Sequence, residues 1–141
     1  MKKPLLLMLF LAGASHAEQL FDYQQAVAAV KSGKKITYVV DWNKCTLNLP
    51  NITPDIISSY SPDHVIMDKQ GFMGSRGTKY THEISKAPEL GPVHQSFVYT
   101  FTKEGELQVV NRFLDPITYA EKMPAIRAVC RLHDGFEVFA N

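Results

Sequence analysis

The chain has 141 residues, 45% of them hydrophobic, and carries 15 Lys and Arg against 14 Asp and Glu. That length supports one domain with its own core. The near-neutral balance leaves no basic stripe of the kind that binds nucleic acid or anionic lipid.

Lys2 and Lys3 precede an apolar run from Pro4 to Ala14, and Ser15-His16-Ala17 supplies small residues before Glu18. This pattern predicts a Sec-type signal peptide over residues 1–17, cut after Ala17. The run of eleven residues is too short for a membrane-crossing helix, which needs about 20. The mature domain is then 18–141, with no membrane span after cleavage and a periplasmic or secreted location. Two cysteines, Cys45 and Cys130, in an oxidising compartment predict one disulfide. Chain entropy alone gives such a bridge, across a loop of this length, a worth of about 4–5 kcal/mol.

In chain order, Asp22 and Gln25 form a capping box, Phe21 is placed to staple onto Ala26, and Tyr23, Ala26, Val27 and Val30 make an apolar stripe. Gly33 supplies the C-terminal stop. A helix over 23–32 is expected. Ile36 to Trp42 alternates as a strand that ends near Cys45. Thr53-Pro54-Asp55 suggests a single helical turn through Tyr60, and Asn51-Ile52-Thr53 matches a glycosylation acceptor by accident. His64–Asp68 reads as a short strand. Gly71, Gly74 and Gly77 mark a turn or bulge, followed by a strand over Thr78–Ile84. Gln95–Thr102 and Leu107–Phe113 form a hairpin around Lys103-Glu104-Gly105. Asp115-Pro116 opens a short helix that Pro124 ends. Ala125–Leu132 and Phe136–Phe139 form a last hairpin around His133-Asp134-Gly135.

The expected fold is therefore α+β: one domain, with an antiparallel sheet of about six or seven short strands, curled or closed, an N-terminal helix packed on it, and one disulfide. Parallel winding lacks its crossover helices.

The segment Phe21-Asp22-Tyr23-Gln24-Gln25-Ala26-Val27-Ala28-Ala29-Val30-Lys31-Ser32-Gly33, after an export signal and before a strand ending at a cysteine, resembles the VirK family of small exported bacterial proteins. Phe97-Val98-Tyr99-Thr100-Phe101, Lys103-Glu104-Gly105-Glu106 and Asp115-Pro116 extend the resemblance through the C-terminal half. The resemblance implies export and association with virulence gene sets. It brings no established activity and no catalytic residues.

The residues themselves present no catalytic set. His64, His82, His94 and His133 lack zincin spacing, and no cysteine pair makes a zinc knuckle. Gly74-Ser75-Arg76-Gly77 is neither a nucleophile elbow nor a Walker loop. No cofactor and no metal is expected. Trp42, Arg76, His82 and His94 are the candidate ligand or partner face: a ring to stack, a guanidinium for an anion, and two histidines on neighbouring strands. Asp41 is a candidate partner for Arg127 or Arg131. The expected function is an exported accessory protein that binds a small molecule or a protein and is not an enzyme. The alternatives are a small hydrolase using His82, His94 and a carboxylate, and a periplasmic chaperone with an exposed apolar face.

Overall fold

A computed structural model describes residues 16–49 and 54–141. The expected signal peptide, up to Ser15, and the Asn51-Ile52-Thr53 match lie outside the described residues. The elements are β1 (Glu18–Leu20), α1 (Tyr23–Lys31), β2 (Ile36–Asp41), β3 (Thr46–Leu47), β4 (Ile57–Tyr60), β5 (Ile66–Met67), β6 (Phe72–Thr81), β7 (Val93–Thr102), β8 (Glu106–Leu114), β9 (Ile126–Arg131) and β10 (Phe136–Ala140).

These strands form two antiparallel sheets. One has four strands in the order β1-β10-β2-β4, the other six in the order β3-β9-β8-β7-β6-β5. The expectation of one α+β sheet, curled or closed, is therefore wrong. The protein is mostly β, and neither sheet closes on itself. The physical reason lies at His133-Asp134-Gly135. The turn forms there, with His133 in a left-handed conformation (φ 64°), and Gly135 N–H donates to Arg131 O at 2.7 Å. It is a corner, not a hairpin: β9 pairs with β8 and β3, while β10 pairs with β2 and β1.

Alternation along the strands fills the space between the sheets. Ile36, Tyr38 and Val40 of β2 and Phe136, Val138 and Ala140 of β10 point inward from one side. Met73, Tyr99, Phe101, Leu107, Val109, Ala128 and Cys130 meet them from the other. The Tyr99 ring stacks on Tyr60 at 4.5 Å and on Tyr38 at 5.9 Å, joining the sheets through three tyrosines. Burial, reinforced by Tyr60, pushes the Tyr99 phenol up to about 12.

Helix α1 forms as expected. Asp22 accepts from Gln25 N–H at 2.8 Å while Gln25 accepts from Phe21 N–H, and Gly33 takes φ 84° at its end. Its buried Tyr23, Ala26 and Ala29 belong to the same core, and Tyr23 meets Phe101 edge-on at 5.3 Å. The expected Phe21–Ala26 staple is replaced: Phe21 remains exposed and lies against the His133 ring at 5.6 Å.

Other local expectations also give way to tertiary pairing. The turn proposed before Tyr60 becomes β4, because Ser58 and Tyr60 pair with Val40 and Tyr38. Of the three glycines read as a turn, only Gly71 turns, with φ 96°; Gly74 and Gly77 lie inside β6. Asp115-Pro116 opens a turn built on the Asp115 carboxylate, which accepts from Ile117 N–H and Thr118 N–H, and no helix follows. These backbone donors hold the Asp115 carboxyl below its ordinary value.

Candidate functional site: a groove on the open sheet face

The expected disulfide joins Cys45 and Cys130, with Cα atoms 4.4 Å apart. Its position follows from two corners. Beyond β2 a short 3-10 turn, Trp42–Lys44, leads through Cys45 into β3, carrying the chain from the four-stranded to the six-stranded sheet. The chain also changes sheet at β3–β4 and β4–β5, and the β9–β10 corner finally carries it back to the four-stranded sheet. The β2–β3 and β9–β10 crossings lie at one end, where Asp41 N–H also donates to Gly135 O at 2.9 Å. The bond staples the two sheets where the chain passes between them.

The six-stranded sheet turns one face to the core, and among the described residues the other is left open. On β6 the open face carries Phe72, Gly74, Arg76, Thr78 and Tyr80, two residues apart as strand geometry requires. Gly74 pairs with Ile66 on one side and Thr100 on the other. Gly74 puts no side chain between its two neighbours there, and it lies in an open groove of ≈ 830 Å³. The groove is lined by Ile66, Phe72, Val98 and Thr100, and also by His64 and Arg76. Ile66 is 75% exposed. A Cβ on Gly74 would meet nothing closer than Ile66 O at 3.9 Å, so the gap is space and not a packing requirement.

Arg76 enters no salt bridge among the described residues. Asp68 also lines the groove, but its Oδ1 accepts from Gln70 N–H and Phe72 N–H at the turn into β6. The guanidinium is therefore available to an anion in a largely apolar cleft.

The four candidate face residues do not share one place. Arg76 lines the groove. His94 lies on the same open face, paired with Tyr80. His82 lies just past the end of β6 with its ring edge-on to Tyr80 at 4.9 Å. Tyr80 also contacts His94 at 5.4 Å. Trp42 belongs elsewhere: it packs on the core, and its Nε1 donates to Ser58 Oγ at 2.8 Å. Asp41 does not reach Arg127 or Arg131; it caps the 3-10 turn through Asn43 N–H and lies 3.7 Å from Lys44. Among the described residues no three His, Cys, Asp or Glu side chains stand close enough to hold a metal ion.

Sequence reasoning missed Gly74, Ile66 and Phe72 as groove residues and Tyr80 and Tyr119 as neighbours of His94. The available signal was Gly74 in a strand-like stretch, since a strand glycine often marks a close approach or a gap.

The fold and this face define a class: a small two-sheet protein, stapled by one disulfide, that leaves a grooved sheet face uncovered. The family model described as VirK protein matches residues 19–119, and the chain belongs to the VirK family. The crystal structure of a VirK family protein from Legionella pneumophila is similar at 25% identity with a TM-score of 0.77, covering 87% of this chain and 99% of that one. No curated protein matches.

Proposed function

We propose that this VirK family chain is an exported, virulence-associated accessory protein that acts by binding and not by catalysis. Its ligand is an amphiphile whose apolar part enters the groove and whose anionic end meets Arg76. The observation that carries this reading is the gap at Gly74 between Ile66 and Thr100, in a groove lined by exposed apolar side chains and by the Arg76 guanidinium. Small ligands favour concave apolar sites with few, well-placed polar groups. Export is supported by the leader pattern of residues 1–17 and by the Cys45–Cys130 bond, of a kind that persists in oxidising compartments. Family membership supports the virulence association.

Dodecanoate is a suitable probe, titrated by calorimetry into the mature chain. Gly74→Leu, whose Cβ meets nothing closer than Ile66 O at 3.9 Å, puts a branched side chain into the middle of the groove and should weaken binding more than tenfold. Arg76→Gln should weaken it about tenfold, the worth of one charge-assisted contact. A parent protein that ignores dodecanoate, or variants that bind it equally well, would refute the reading.

A further inference from the structure

Beyond the groove, the same sheet face carries a file of exposed rings. His94 lies between two tyrosines. Tyr80, its register partner, is at 5.4 Å with the rings tilted 60°, and Tyr119 is stacked on it at 5.7 Å and 11°. Tyr80 is 46% exposed and Tyr119 64%. Rings kept for packing are normally buried; the two tyrosines present ring surface to solvent on either side of a half-buried His94.

Tyr119 is held there at a cost. Its φ is 59°, in the left-handed region that a bulky residue rarely adopts without strain. The loop enforces it: Tyr119 N–H donates to Asp115 O at 3.0 Å, and Asp115 N–H donates to Ala120 O at 2.8 Å. Lys122 ties the same loop to the carbonyls of Leu90 and Pro92.

The next row of the face is polar. Thr78 pairs with Ser96, and Ser96 with Arg112. Arg112 Nε lies 3.5 Å from Glu121 Oε1, both side chains about half exposed. Glu121 bridges to Leu114, the partner of His94. A cluster of three rings, with the outer surfaces of Tyr80 and Tyr119 exposed, thus lies beside hydroxyls and a solvent-facing guanidinium–carboxylate pair.

A pyranose has the complementary shape: an apolar C–H face for an aromatic ring and a rim of vicinal hydroxyls for paired charged groups. We infer that Tyr80, His94 and Tyr119 form a saccharide-binding platform, with Arg112 and Glu121 taking the sugar hydroxyls. This inference is independent of the groove.

The test is a printed panel of neutral, N-acetylated and uronate oligosaccharides probed with the mature chain, its Tyr119→Gly variant and its Tyr80→Ala variant. Glycine accepts the backbone at position 119, so that variant keeps its fold, which its melting temperature checks. The expected result is binding to at least one glycan class, weakened at least tenfold by each substitution. Binding to no glycan, or binding that either substitution leaves intact, would overturn the inference.

Discussion

Phe97 lies across the backbone of its cross-strand partner Gly77, so that a Cβ there would meet the ring carbons Cε2 and Cζ at 2.2 and 2.6 Å. The same Phe97 ring meets Tyr60 edge-on at 5.0 Å, so it cannot withdraw without disturbing the inter-sheet tyrosines. Gly77→Ala should therefore destabilise the fold by about 1–3 kcal/mol, the usual cost of overpacking. Urea unfolding measures this. Adding Phe97→Leu to that variant should recover part of the loss, because the obstructing ring is gone.

The disulfide joins two corners that already lie together, so its removal should leave the architecture intact and lower its stability. Cys45→Ala with Cys130→Ala should cost about 2–5 kcal/mol. The closed loop spans 85 positions, at the long end where the entropic effect is largest. Urea midpoints of the oxidised parent and the double variant, compared without reductant, give the number.

His133 should make stability depend on pH. Its Nε2 lies 3.1 Å from Phe21 O and its Nδ1 2.8 Å from Glu137 Oε2. The Phe21 carbonyl, then Glu137, raises its pKa. A raised folded-state pKa stabilises fully below the unfolded value of about 6.5 and ceases to do so as pH rises through the folded value. His133→Asn keeps the left-handed backbone accessible. The parent should exceed this variant in stability more at about pH 5.5 than at about pH 8.5. Solvent exposure limits the difference to about 1 kcal/mol or less.

Trp42 is held away from the open face, so Trp42→Phe separates stability from binding. Loss of the bond to Ser58 should cost about 0.5–1.5 kcal/mol and leave dodecanoate binding unchanged. Thermal unfolding beside calorimetry checks both halves.

Some of this molecule is legible in its sequence. The capping box at Asp22, the stop at Gly33, the β2 alternation and the turn at Gly105 are local signals, and each forms where expected. The cysteine pair is legible too: two cysteines behind an expected leader predict one bond, and Cys45–Cys130 forms. The division into two sheets is not. Asp134-Gly135 specifies that the chain turns, while whether the next strand pairs with the last depends on partners far away, here β2 and β8. The short β1, β3 and β4 are illegible for the same reason: two to four residues carry no periodicity, and their strand character comes from the neighbour. Of the candidate face, Arg76 and His94 do share the open side, while Trp42 follows β2 only as far as Asp41 and then leaves the strand.

The most direct test of the groove reading is an amide chemical-shift titration of isotope-labelled residues 18–141 with dodecanoate. The predicted result is a saturable set of shifts centred on Ile66, Gly74, Arg76, Val98 and Thr100, absent in Gly74→Leu. Shifts confined to the four-stranded sheet, or none at all, would contradict the claim that the gap in β6 is a binding site.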